Sequence, residues 1–181
     1  MNESDAIDLL RPAVAATPDA RWADLGAGTG TFTRALAAIL GPDAHLYAVD
    51  ADARALRSIG AWAERTPDAP AVRILPGDFT RRLPLPVLDG VVTANALHFV
   101  RDQPAAVALA ASYLRPGGRL VVIEYQDRPA SRWVPHPVSS ARFAELAADA
   151  GLSPPRVVAK RPSALGGEMY AAVAIRLDEI R

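Results

Sequence analysis

The sequence predicts an α/β fold: a doubly wound sheet of seven strands, mostly parallel, closed by a C-terminal antiparallel hairpin. Three observations carry this. Short apolar runs alternate with amphipathic segments along the chain, the pattern of successive strand–helix units with helices on both faces of a sheet. Gly26, Asp50, Asp78 and Asn95 all fall just after a predicted strand, where sheets of this kind place their ligands. The last two strand-like runs are separated only by Pro162 to Gly167, too few residues for a crossover helix, so they must pair antiparallel.

The elements follow in order. Glu3 to Ala16 offers one short helix, interrupted at Pro12. Ala20 to Leu25 reads as a buried strand ending at Gly26. Thr29 to Leu40 reads as a helix with Phe32, Leu36, Ile39 and Leu40 near one face, stopped by Gly41-Pro42. His45 to Val49 is the second strand. Asp52 is placed to cap a helix carrying Leu56, Ile59 and Ala63 inward, with Pro67 beyond its end. Val72 to Leu75 and Leu88 to Thr93 are the third and fourth strands. Asp102 can cap the next helix, with Pro104 in its first turn and Val107, Ala110, Ala111 and Leu114 inward. Pro116-Gly117-Gly118 reads as a turn into a fifth strand, Arg119 to Glu124. Ser139 or Ser140 starts a helix with Phe143, Leu146, Ala147 and Ala150 on one face, and Gly151 is placed to end it. Arg156 to Arg161 and Glu168 to Ile175 are the closing strands.

Composition bounds the function. A chain of 181 residues fits one domain and buries roughly 70% of its unfolded surface. Lys+Arg and Asp+Glu balance at 20 each, which argues against a protein that coats nucleic acid. There is no cysteine, so this chain has no disulfide, thiolate zinc site or cysteine nucleophile. Its three histidines are scattered and give no metal cluster. The first ten residues hold Glu3, Asp5 and Asp8 and no basic residue, the wrong charge for a leader, and no apolar run approaches the roughly 20 residues that span a membrane. A cytoplasmic protein, monomer or homodimer, is the expectation.

The chemistry concentrates in Asp24-Leu25-Gly26-Ala27-Gly28-Thr29-Gly30, which leaves a buried strand and enters a helix. Glycines there permit positive φ and remove Cβ atoms that would block a ligand lying against backbone amides. A tight strand-to-helix turn alone can also require two glycines. Spacing is more informative. The dinucleotide fingerprint has its third glycine three positions after the second, whereas here Gly30 arrives one residue early and Thr31 takes the later place. Asp50, 20 residues beyond Gly30, can accept hydrogen bonds from both hydroxyls of a ribose. That feature supports a nucleoside without choosing between cofactors.

The glycine segment, preceded by Asp24, closely resembles the first motif of class I S-adenosylmethionine-dependent methyltransferases, which are Rossmann-like. Pro76-Gly77-Asp78-Phe79, Leu88 to Phe99, and Leu114-Arg115-Pro116-Gly117-Gly118-Arg119-Leu120 continue the resemblance in the same order. The match runs from about Trp22 to Tyr125 and is similar to the ubiquinone/menaquinone-biosynthesis-like branch. The resemblance implies a single methyltransferase domain over 1–181: an N-terminal helical cap (1–18), a cofactor-binding core (20–125), and a substrate-side connection, helix and hairpin (126–181). It implies S-adenosylmethionine as cofactor. The loop with Gly26, Ala27, Gly28 and Gly30 would wrap the methionine part, with Asp24 facing its ammonium group. Asp50, with Ala51 beside it, would hold the ribose. Asp78 would receive the adenine amino group and Phe79 cover the ring. Asn95-Ala96 would contribute backbone contacts.

The implied activity is methyl transfer to a small-molecule acceptor. His98 is either a general base near neutral pH or a structural residue behind the cofactor. Asn95 is followed by Ala96-Leu97 rather than the Pro-Pro-aromatic sequence of enzymes that methylate base amino groups. Tyr125, Trp133 and His136 lie in or beside a proline-rich connection that borders the substrate pocket in this family. Trp133 either covers a ligand or packs over the sheet edge. The short N-terminal segment implies an open site, a site closed by a second subunit, or an acceptor presented by a partner. Two other functions fit parts of the pattern: a non-catalytic S-adenosylmethionine-binding or regulatory subunit, and an NAD-dependent oxidoreductase.

Overall fold

The computed structural model describes residues 1–163 and 166–178 of the chain. Seven strands form one sheet in the order β3-β2-β1-β4-β5-β7-β6. They are β1 (Arg21–Leu25), β2 (His45–Asp50), β3 (Ala71–Pro76), β4 (Leu88–Ala94), β5 (Leu114–Tyr125), β6 (Arg156–Pro162) and β7 (Glu168–Ile175). The first five are parallel. β7 runs antiparallel to both β5 and β6, as the short connection requires. Residues 164 and 165 of that connection lie outside the described residues, as do 179–181 at the end of the predicted domain.

Alternation along the central strands builds two apolar layers. Val91, Leu120 and Val122 face one side, against α4 (Gln103–Ser112) and α5 (Ser140–Asp149). Val92, Val121 and Ile123 face the other, against α1 (Glu3–Leu10) and α2 (Thr31–Leu40). Leu56 and Ile59 of α3 (Ala53–Arg65) cover Ala48 of β2. The expected caps form: Asp52 accepts from the Arg54 and Ala55 amides, Asp102 from Ala105, and Ser139 from Arg142.

Several strand ends fall one residue from the sequence reading, and three boundaries differ by more. α2 begins at Thr31 rather than Thr29, because Gly30 is its N-cap and adopts φ +93°. α1 stops at Leu10, fixed at its start by reciprocal bonds between Asn2 and Asp5. Pro116-Gly117-Gly118 does not make a free turn. It bulges within β5, so that Leu114 pairs with Leu88 but Arg119 with Gly90. Arg176, just past β7, fastens the bulge by bonding its backbone to Gly117 and Gly118.

α1 is not a detached lid. Ala6, Leu9 and Leu10 are buried in the layer with Phe32 and Leu36, and Arg119 donates to the Ala13 carbonyl at 2.9 Å. Among the described residues no helix is long and apolar enough to cross a membrane.

Candidate active site

Strand order reverses between β1 and β4, and their carboxyl ends open a cleft of about 940 Å³. That size suits a ligand of nucleoside dimensions. Its floor is the glycine loop. Gly26 adopts φ +83°, and a Cβ there would collide with Ala96 Cβ from the segment after β4. Gly28 adopts φ +54° with no heavy atom within 4 Å of where its Cβ would sit, so its backbone stands open. The sequence therefore places glycine where two chain segments touch and where the loop meets open space.

Asp50 ends β2 beside this loop. Its Oδ2 accepts from the Gly28 amide at 2.7 Å and its Oδ1 from the Asp52 amide at 2.8 Å. Each carboxylate oxygen has two acceptor sites, so the pair is oriented by the backbone and still has capacity for a vicinal diol. Asp78 lines the far side. Hydrogen bonds from the Thr80 hydroxyl (2.7 Å) and amide (2.9 Å) hold its carboxyl below the usual range, so it stays an ionised acceptor. Phe79, Ala96, Ala105 and Ala106 supply apolar wall.

Of the residues singled out from sequence, Gly26, Gly28, Asp50, Ala51, Asp78, Phe79, Asn95 and Ala96 line this cleft together. Asp24, Ala27 and Gly30 do not. Asp24 is buried behind the loop, where its Oδ2 accepts from the Thr33 hydroxyl at 2.6 Å. Burial pushes its pKa up to about 6, partly offset by the Thr33 bond, with the charge on Asp50 pushing further upward. Asn95 has φ +53°, and its Oδ1 is buried without a hydrogen-bond partner among the described residues. It lines both the cleft and a second crevice of about 220 Å³, shared with Tyr125.

His98 is 3% exposed and lines neither the cleft nor the crevice beside it. Its Nδ1 lies 2.7 Å from Oε2 of Glu124, which is fully buried at the end of β5. Tyr125 and Trp133 meet in a third cavity of about 370 Å³, with Trp133 66% exposed. His136 lies outside these cavities. Its backbone fastens the connection instead: its amide donates to the His98 carbonyl, and its carbonyl accepts from Gln103 Nε2. Tyr170 adds a third anchor, donating its hydroxyl to the Val138 carbonyl at 2.9 Å. Among the described residues no group of three His, Asp or Glu side chains is placed to hold a metal ion.

The sequence reading did not single out Phe99, Glu124 or Arg128. Phe99 is 59% exposed and lines the cleft, although an aromatic in an apolar run reads as core. Glu124 carried a visible signal, an acid closing the apolar run Val121-Val122-Ile123. Arg128 carried none.

Residues 23–118 match the methyltransferase domain family. The demethylmenaquinone methyltransferase of Beutenbergia cavernae is 38% identical over 127 residues, 68% of this chain and 47% of that protein. The trans-aconitate 2-methyltransferase of Mycolicibacterium gilvum is 35% identical over 173 residues, 94% of this chain and 63% of that protein. The chain spans 41–63% of the length of the curated relatives it matches. The YcgJ protein of Bacillus subtilis shares the fold, with a TM-score of 0.79 at 14% identity over 97% of this chain and 100% of that one. The matched segment runs from the middle of β1 through the glycine loop and the three following strand ends that wall the cleft, and on this ground the chain belongs to the class I S-adenosylmethionine-dependent methyltransferase family.

Proposed function

We propose that this protein transfers the methyl group of S-adenosylmethionine to a small-molecule acceptor. The observation that carries the reading is the pairing of the glycine loop with Asp50 at the point where strand order reverses. Held by the glycine loop, Asp50, Asp78 and Phe79, the cofactor would supply an activated methyl on sulfur for an acceptor's electron pair, with sulfur keeping the bonding pair as leaving group and the acceptor's proton passing to water.

The chain's own residues supply position. Gly28 leaves space for the ligand backbone and Asp50 presents two oriented oxygens to a diol. Asp78 and Phe79 offer an acceptor and a ring face for adenine. Holding nucleophile and methyl in line is the main catalytic demand, since the leaving group is already activated. A dedicated base is not obligatory, and we give His98 a positioning role: tied to Glu124, it sets the start of the segment that follows Asn95. Relatives named for demethylmenaquinone and trans-aconitate support a small acceptor, as does the charge balance of the chain. A cytoplasmic monomer or homodimer is the setting proposed for it.

Calorimetric titration with S-adenosylmethionine and, separately, NADH tests the reading. Saturable binding of S-adenosylmethionine alone is expected, weakened at least tenfold in Asp50→Ala. A folded sample that does not bind it, or that prefers NADH, overturns the proposal.

A further inference from the structure

The three cavities share walls. Asn95 lines the cofactor cleft and the 220 Å³ crevice, and Tyr125 lines the crevice and the 370 Å³ cavity. The cavity formed by Arg128, Pro129 and Trp133 is therefore next to the crevice that adjoins Asn95, within reach of an acceptor that reacts there. The chemistry of that cavity is set by Arg128. Its Nη1 is buried, and among the described residues it has neither a hydrogen-bond partner nor a carboxylate paired with it. Its guanidinium lies over the Tyr125 ring, 4.9 Å from the centroid, which holds it in place.

A buried donor of a charged group without an acceptor is costly, so its presence calls for an anion. The nearby carboxylates do not answer that call. Glu168, in the same cavity, is paired with Lys160 at 2.7 Å, and Asp5, in the adjoining crevice, is paired with Arg161 at 2.7 Å. Asp127 also lines the cavity but is exposed to solvent and forms no ion pair among the described residues. A second cation, Arg132, stacks on Trp133 at 4.6 Å and adds positive potential. Each guanidinium lies on one aromatic ring, Arg128 on Tyr125 and Arg132 on Trp133. A rigid guanidinium fork matches a carboxylate bidentately, and the rings favour a flat partner.

We propose that this cavity is an anion-recognition subsite for the methyl acceptor, and that the acceptor is a planar molecule carrying a carboxylate, held by Arg128 between Tyr125 and Trp133. The carboxylate is the handle and the nucleophile lies at the other end, toward Asn95. This rests on the methyl-transfer reading.

Benzoate and its neutral isostere benzamide are suitable probes, titrated into the ¹⁵N-labelled protein while the Trp133 indole and Gly28 amide resonances are followed. Benzoate is expected to move the Trp133 indole saturably, with benzamide at least tenfold weaker. Arg128→Gln should weaken benzoate about tenfold or more. S-adenosylmethionine, titrated separately, should move Gly28 equally in the native chain and in Arg128→Gln. Equal response to both probes, benzoate binding that survives Arg128→Gln, or no movement at Trp133 overturns the subsite. Failure of S-adenosylmethionine to move Gly28 overturns the methyl-transfer reading instead, whatever benzoate does.

Discussion

Glu124 grips His98 with both carboxylate oxygens: Oε2 lies 2.7 Å from the imidazole Nδ1, and Oε1 accepts the His98 backbone amide at 3.2 Å. The two residues are 26 apart in sequence and meet because β4 and β5 are parallel, with Ala94 opposite Ile123. Glu124→Ala strands two buried donors, each at a cost of about 1–3 kcal/mol. Glu124→Gln keeps an acceptor and should lose less. Urea denaturation of both variants checks the order. If His98 acts by position, His98→Gln slows methyl transfer without changing the shape of its pH profile. Loss of one limb of the profile in the variant would make His98 the base instead.

The two loop glycines separate stability from ligand binding. Gly26→Ala adds a Cβ that strikes Ala96 and forces an L-residue to φ +83°. The backbone part costs about 1–2 kcal/mol and the overpacking about 1–3 kcal/mol. Gly28→Ala meets open space at φ +54°, so only the backbone part applies to the free protein. Its Cβ enters the cleft, so its larger effect falls on S-adenosylmethionine affinity, with a loss of tenfold or more. Denaturation and calorimetry on the two variants should therefore rank them in opposite orders.

Much of this was legible in the sequence because local chemistry decides it. β7 falls at Glu168–Ile175 as read, since an apolar run after Gly166-Gly167 has one way to pair. The caps Asp52, Asp102 and Ser139 follow from residues within three positions of each other. The cleft residues were legible because each closes a strand. What stayed hidden depends on register and on side chains meeting across the sheet. Nothing local indicates that Glu124 finds His98, that Arg128 Nη1 finds no acceptor among the described residues, or that the Pro-Gly-Gly segment is absorbed into β5 by Arg176.

The burial of α1 against α2 predicts that it unfolds with the core. Leu10 is fully buried in the layer with Trp22, Phe32 and Leu36. Leu10→Ala should cost about 2–5 kcal/mol in global stability. The loss should appear as one cooperative transition shifted to lower denaturant, seen alike by far-ultraviolet circular dichroism and tryptophan fluorescence. A separate early transition confined to the N-terminus would show α1 to be a detachable lid.

Asp24 makes stability depend on pH and, if the cofactor's ammonium lies near it, ligand binding as well. Its pKa in the folded chain, about 6, lies above the ordinary 3.8 because it is buried. The fold thus favours the protonated acid, and this contribution is complete below about pH 4 and lost as pH rises through about 6. The change amounts to about 3 kcal/mol. Asp24→Asn cannot ionise and keeps an oxygen for the Thr33 hydroxyl. Between pH 4 and pH 7.5 the stability difference should therefore move in favour of the variant by about 2–3 kcal/mol in urea titrations. Cofactor binding gives the opposite sign. A cationic ammonium placed near Asp24 stabilises the carboxylate, so S-adenosylmethionine binding near pH 6 should release a proton from the native chain and none from Asp24→Asn. Calorimetry in buffers of different ionisation enthalpy measures that proton directly. Equal proton release in both proteins would place the ammonium away from Asp24 and leave this residue as a buried acid whose partner is Thr33.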